Sequence, residues 1–68
     1  MSMTLKAARV NKGLTQVQAA KKLGISVDTL RMYEAGKTFP DVPTINKIEC
    51  LYGISYNNID FLLAKNNG

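Results

Sequence analysis

The chain has 68 residues, a formal net charge of +4, one cysteine and no histidine. A chain of this length has room for one small hydrophobic core, so residues 1–68 are expected to form a single domain. Cys50 has no second cysteine and no histidine with which to form a disulfide or a metal site. Neither a disulfide nor a bound metal is therefore expected.

The sequence carries no pattern for export, for membrane insertion or for catalysis. Residues 1–10 lack the apolar run of a signal peptide, and residues 61–64 are far shorter than the roughly 20 apolar residues that cross a bilayer. We therefore expect a soluble, cytoplasmic protein. The lack of histidine, of a glycine-rich phosphate loop and of a paired acid site argues against an enzyme. No cofactor and no small-molecule ligand are expected.

The positive charge is concentrated in the first half of the chain. Seven of the nine basic residues precede residue 38: Lys6, Arg9, Lys12, Lys21, Lys22, Arg31 and Lys37. Only Asp28 and Glu34 oppose them there. This asymmetry suits a nucleic-acid-binding face with a separate packing face. A charge of +4 is also ordinary for a soluble domain, so charge alone does not decide between the two interpretations.

Helix caps and helical periodicity predict five helices and no strand, and hence an all-α fold. The first helix is predicted over Thr4–Lys12, with Gly13 as its left-handed end. Thr15 then caps the second helix, and Gln18 follows three residues later in a capping box. The residues predicted to face inward from these helices are Leu5, Ala8, Ala19, Ala20 and Leu23.

The third helix is predicted from the cap Ser26 to just before Gly36. Only Leu23-Gly24-Ile25 separates it from the second helix, which is the spacing of a helix-turn-helix motif over residues 15–36. A helical wheel divides its residues into two sectors. The packed sector holds Thr29, Leu30, Tyr33 and Glu34, and the outward sector holds Val27, Asp28, Arg31, Met32 and Ala35.

Two further helices are predicted over residues 41–64, where they would serve packing and dimerisation. Asp41 is the expected N-cap of the fourth, with Pro43 in its first turn and a buried stripe of Ile45, Ile48, Leu51 and Tyr52. Ser55 is expected to cap the short fifth helix, with Ile59 and Leu62 on one side.

The outward sector of the third helix is the predicted base-reading surface. Val27 suits a thymine methyl group, Asp28 a cytosine amine, and Arg31 a guanine edge or a phosphate. Met32 completes the set. The alternative interpretation is that these are scattered surface residues with an aspartate that favours the helix N-terminus.

Residues 14–36 read L-T-Q-x-x-A-A-x-x-L-G-I-S-x-x-T-L-x-x-Y-E-x-G, a pattern that resembles the Cro and phage-repressor family of XRE-type helix-turn-helix proteins. The resemblance implies a compact five-helix bundle like that of lambda repressor, in which the second and third helices form the motif. Ala20, Gly24 and Leu30 lie at the family's small-residue, turn-glycine and core-aliphatic positions. The alternative is a helical module that keeps the fold without binding DNA.

The resemblance also implies residue roles. Gln16 resembles a phosphate-binding glutamine at the start of the second helix, and Ser26 and Thr29 resemble hydroxyl residues that cap the helix or touch phosphate. The chain departs from the family where Asp28 stands at a position often held by glutamine, so the operator sequence cannot be transferred. Ala35 replaces a common asparagine. The loop residues that would compensate are Lys37 and Thr38.

Two further expectations concern packing and assembly. Arg9 and Glu34 resemble the family's ion pair between the first and third helices. Phe61 and Leu63 lie off the Ile59–Leu62 stripe, where they form either an exposed dimer interface or part of the core.

The resulting hypothesis is a regulator that binds double-stranded DNA sequence-specifically, as a Cro-like or phage-type repressor. It would occupy an inverted-repeat operator as a homodimer. The alternatives are an antitoxin-type regulator that also binds a toxin, and a helical protein-interaction module.

Overall fold

The computed structural model of the chain describes residues 2–62. The described residues form four α-helices, one turn of 3₁₀ helix and two short strands. The helices are α1 (Leu5–Asn11), α2 (Gln16–Leu23), α3 (Val27–Glu34) and α4 (Val42–Tyr52), the 3₁₀ turn is Tyr56–Asn58, and the strands are β1 (Met3–Thr4) and β2 (Ile59–Asp60). No described helix has the length and hydrophobicity needed to cross a membrane. The predicted all-α fold is confirmed in part, because the described residues are mostly helical but include two short strands.

Each α-helix begins at a side-chain cap, and three of the four caps, Thr15, Ser26 and Asp41, were predicted from the sequence, whereas Thr4 was predicted as the first residue of its helix. The four cap residues accept hydrogen bonds from the backbone N–H three residues later, and they are Thr4, Thr15, Ser26 and Asp41. At the start of α2 the Gln18 side chain also accepts from the backbone N–H of Thr15, which completes the capping box. Pro43 lies in the first turn of α4, where its missing N–H leaves no intrahelical bond unmade.

The predicted fifth helix is wrong, and so is the expectation of no strand. Only one 3₁₀ turn forms, and Ser55 makes no side-chain cap hydrogen bond to it. Asn57 and Asn58 are weak helix formers, and the β-branched Ile59 favours extended backbone. β2 then pairs in parallel with β1, with Met3 opposite Ile59. The two C-terminal residues of the predicted helix, 63 and 64, lie outside the described residues.

The core lies between the helices and beneath β2. Its buried hydrophobic residues are Leu5, Ala8, Ala19, Ala20, Leu23, Leu30, Ile48, Tyr52, Ile59 and Phe61. All the inward positions predicted for the first two helices are buried. On α4 the predicted stripe is only partly buried, since Ile48 and Tyr52 are buried whereas Ile45 and Leu51 are half-buried. The alanines of α2 are short enough to let α3 and α4 pack closely against this helix.

Candidate nucleic-acid interface

The turn between α2 and α3 fixes how α3 leaves the body of the protein. Gly24 follows α2 with φ +74°, and its N–H donates to the Ala20 and Lys21 carbonyls. The Ile25 N–H donates to the Ala20 carbonyl over 3.0 Å, and Ser26 then caps α3. The left-handed conformation at Gly24 is one that residues with a Cβ adopt only at a cost. The chain therefore turns between two packed helices within three residues.

The two faces of α3 differ as the wheel predicted. Leu30 and Glu34 are buried, and Thr29 and Tyr33 are half-buried. The exposed residues are Asp28, Arg31, Met32 and Ala35. Val27 departs from the prediction, because it is half-buried and packs against the core. The outward face of α3, defined as Asp28, Arg31 and Met32, is therefore available to a partner, and Val27 lies at its margin.

Two residues of the outward face are bonded to each other. Arg31 Nη1 donates to Asp28 Oδ1 over 2.8 Å, and the two side chains are 59% and 85% exposed. An exposed ion pair of this kind contributes at most about 1 kcal/mol and weakens with salt. The pair therefore neutralises the carboxylate in the free protein without locking either side chain against a new partner.

The predicted phosphate-binding residues fall into two groups. Ser26 and Thr29 act on α3 itself: the Ser26 hydroxyl accepts from the Thr29 N–H over 3.1 Å and donates to Thr29 Oγ1 over 2.8 Å. Lys37 and Thr38 are exposed in the loop that follows α3. Gln16 is half-buried at the start of α2, and its side chain is hydrogen-bonded within the protein.

A buried polar cluster joins the first three helices. Arg9 Nε donates to Glu34 Oε2 over 2.7 Å, and Arg9 Nη2 donates to Glu34 Oε1 over 3.3 Å. Arg9 Nη1 donates to the Leu14 carbonyl over 2.9 Å, so the guanidinium makes three hydrogen bonds to two residues. The two residues are 7% and 9% exposed. The structure thus brings together the two charges that the sequence paired.

Two buried polar features of the structure were not predicted from the sequence. Gln16 Nε2 donates to Glu34 Oε1 over 3.0 Å. The Tyr52 hydroxyl is buried and has no hydrogen-bond partner among the described residues. Burial, with a smaller contribution from the negative charge of Glu34, raises the pKa of Tyr52 to about 12 against the opposing effect of Arg9. The one sequence feature that pointed to buried polar contacts here was the position of Glu34 at the edge of the packed sector of the wheel, where a partner could reach it.

Comparison with known proteins identifies the family. The family described as helix-turn-helix matches residues 5–58, which include all four helices and the motif. The chain belongs to the XRE-type helix-turn-helix family. The match covers α2, α3 and the turn that joins them.

Two relatives from Bacillus subtilis strain 168 are similar to this XRE-type chain. The HTH-type transcriptional regulator ImmR is 43% identical over 61 residues, which cover 90% of this chain and 46% of ImmR. The SPbeta prophage-derived uncharacterized HTH-type transcriptional regulator YonR is 41% identical over 59 residues, which cover 87% of this chain and 52% of YonR. The chain thus spans about half the length of these curated relatives. No solved structure matches it significantly.

Charge on the XRE-type domain is unevenly compensated. Both acidic side chains within residues 2–38, Asp28 and Glu34, are bonded to an arginine. The remaining basic residues of this segment are all exposed: Lys6, Lys12, Lys21, Lys22 and Lys37. Within the described residues, no group of three His, Cys, Asp or Glu side chains is placed to hold a metal ion.

Of the two alternatives left open for Phe61, the structure supports a place in the core and not an exposed dimer patch. Its side chain is 7% exposed and contacts Phe39 and Tyr56, with ring centroids 4.9 and 5.7 Å apart. The prediction assumed a helix, whereas Ile59–Asp60 is a strand, in which alternate side chains share a side. Ile59 and Phe61 therefore both enter the core, and Leu62 is exposed. The other predicted interface residue, Leu63, lies outside the described residues.

Proposed function

We propose that this chain binds double-stranded DNA and regulates transcription, with α3 entering the major groove. The observation that carries the proposal is the outward face of α3, because Asp28, Arg31 and Met32 are exposed and lie outside the core. A helix presented beyond a tight turn has the dimensions to enter a major groove. The two relatives are named as transcriptional regulators, which supports the same function.

Each residue of the outward face has a base edge that suits its chemistry. The Arg31 guanidinium is a fork of donors that matches a guanine edge, and the Asp28 carboxylate accepts from a cytosine amine. Met32 and the margin residue Val27 offer apolar contact to a thymine methyl group. A good base contact discriminates by about 1–3 kcal/mol, which exceeds the contribution of the exposed Asp28–Arg31 ion pair. On binding DNA, Asp28 and Arg31 would therefore break their ion pair, and each would contact a base instead.

Phosphate contacts would orient α3 in the groove. Gln16, Ser26 and Thr29 lie at the starts of α2 and α3, where backbone N–H groups favour an anion. Lys37 and Thr38 extend the contact beyond α3. The exposed lysines of residues 2–38 supply an electrostatic attraction that displaces counterions from DNA.

Assembly on the operator follows from the small number of base contacts. Four side chains on one eight-residue helix read only a few base pairs, so we propose that two copies occupy an inverted repeat. Occupancy of such an operator would repress transcription by excluding other proteins from it. We propose a Cro-like or phage-type repressor on this basis.

Selection from a random duplex library at physiological salt tests the proposal directly. The expected result is enrichment of two inverted half-sites about one helical turn, roughly 34 Å, apart. Arg31→Lys provides a matched control, because it keeps the charge but loses the planar fork that matches guanine. This variant should select sites with one relaxed position per half-site, at an unchanged dependence of affinity on salt.

Three results would contradict parts of this proposal. A folded protein that enriches no duplex is not a sequence-specific DNA reader, and a partner-binding module would replace the proposal. Enrichment of single, unpaired half-sites would contradict the dimeric operator. Selection of the same site by the wild type and by Arg31→Lys would exclude base reading by Arg31.

A further inference from the structure

The side chain of Gln16 is held by the buried ion pair of the fold. Its Nε2 donates to Glu34 Oε1 over 3.0 Å, and that carboxylate is held in turn by Arg9 over 2.7 and 3.3 Å. Arg9 belongs to α1, Gln16 to α2 and Glu34 to α3. The amide of Gln16 is therefore fixed relative to both helices of the motif.

The chemistry of the pair sets which way the amide is oriented. An ionised carboxylate accepts hydrogen bonds only, so the NH₂ group of Gln16 faces Glu34. One of its two N–H groups is used in this bond, and the other remains as a donor. Long side chains such as glutamine lose up to about 2 kcal/mol of rotamer entropy when they are ordered. A side chain already ordered in the free protein loses little more when it binds a partner.

Arg9 has a second effect on this position. A carboxylate near the DNA backbone repels phosphate unless its charge is compensated. Arg9 compensates Glu34 from within the protein, because Arg9 is itself 7% exposed. The carboxylate can therefore orient Gln16 without opposing the approach of a phosphate.

We propose that Glu34 is a positioning residue for phosphate recognition: held by Arg9, it orients the Gln16 amide so that the remaining N–H donates to a DNA phosphate. This inference rests on the proposed DNA-binding function. Glu34 itself touches no DNA in this arrangement. Glu34 is the last residue of α3 and bonds to Gln16 at the start of α2. The phosphate contact would therefore position both helices of the motif relative to the DNA backbone.

Two double variants separate this role from a structural one. Arg9→Met with Glu34→Gln keeps a neutral acceptor for Gln16, whereas Arg9→Met with Glu34→Met removes that acceptor. Both replace the buried ion pair with uncharged groups, and buried pairs replaced by apolar groups often keep their stability. The two variants therefore differ mainly in whether residue 34 accepts a hydrogen bond from Gln16.

The probe is the duplex that the wild type enriches, resynthesised with one neutral methylphosphonate at each backbone position of a half-site in turn. At the phosphate that Gln16 contacts, this substitution should weaken wild-type binding about tenfold, as for loss of a hydrogen bond to a charged group. Gln16→Ala identifies that phosphate, because its sensitivity disappears in this variant. In the variant with Arg9→Met and Glu34→Gln, the methylphosphonate at this position should still weaken binding about tenfold. In the variant with Arg9→Met and Glu34→Met (the Met/Met variant), it should weaken binding about threefold or less.

Equal sensitivity at this phosphate in the Met/Met variant and the wild type would overturn the positioning role. Failure of the wild type to bind any duplex would instead refute the proposed function.

A measurement on the free wild type tests the proposal without any variant. The side-chain amide of Gln16 should give an NMR order parameter near that of rigid backbone, about 0.85, and the exposed Asn46 amide one below about 0.6. A Gln16 amide as mobile as that of Asn46 would also overturn it.

Discussion

Gly36, just after α3, packs against the backbone of Leu62 in the C-terminal segment. Replacing Gly36 with alanine should show how much this close packing contributes to the free energy of unfolding. Gly36 is buried and has φ +74°. A Cβ at this position would overlap the Leu62 carbonyl oxygen and lie 2.7 Å from its carbon. Gly13 offers a matched control, since it has φ +72° but no atom within 4 Å of the same Cβ. The two substitutions share their backbone strain and differ in the overlap.

The expected magnitudes follow from these two terms. A left-handed conformation costs a residue with a Cβ about 1–2 kcal/mol, which is the whole effect expected for Gly13→Ala. Gly36→Ala must also displace the backbone at Leu62, which follows the buried Phe61. Loss of much of the Phe61 burial adds about 1.5–3 kcal/mol. The free energy of unfolding should therefore fall by about 3–4 kcal/mol in Gly36→Ala.

Urea denaturation followed by circular dichroism measures both variants against the wild type. The expected difference between Gly36→Ala and Gly13→Ala is about 2 kcal/mol, with Gly36→Ala the less stable. Equal losses, to within about 0.5 kcal/mol, would show that the Leu62 carbonyl moves aside without cost and would refute this reasoning.

Two further predictions concern the core. Burial raises the pKa of Tyr52 from 10.0 to about 12, so only the folded protein keeps this proton between those values. The protonated Tyr52 hydroxyl therefore contributes to the free energy of unfolding below pH 10. This contribution, about 2–3 kcal/mol at most, is lost as the pH rises through 12. Tyr52→Phe should flatten the fall in unfolding free energy between about pH 10 and about pH 12; an unchanged slope would contradict this. Phe61→Ala should lower stability by about 3–5 kcal/mol in urea titrations, whereas a residue serving only a dimer interface would leave the melting of the monomer unchanged.

The sequence predicted those features that depend on neighbouring residues. Four helix starts were correct, because a cap such as Thr15 bonds to a backbone group only three residues away. The two faces of α3 followed from helical period alone. The fifth helix failed because β2 gains its partner from β1, more than 50 residues earlier, and no local pattern records that pairing. Because the segment was predicted as a helix, its period left the exposure of Phe61 undecided between a dimer interface and the core.

The candidate site shows the same division. Arg9 and Glu34 were paired through the family resemblance, and the structure places them in contact. The hydrogen bond from Gln16 to Glu34 depends on how α2 crosses α3, which residue spacing does not encode. The bond between Asp28 and Arg31 lay within reach of the sequence, since residues three apart on a helix are neighbours.

The pairing of β1 with β2 has a consequence for the order in which the chain folds and opens. It closes a loop of more than 50 residues with a ladder only two residues long, so burial of Ile59 and Phe61, and not the ladder alone, offsets the loss of chain entropy. The contacts between α2 and α3 instead join segments adjacent in the chain and form without a long closure. We therefore expect the two-stranded ribbon to form late and to open before the helix-turn-helix does.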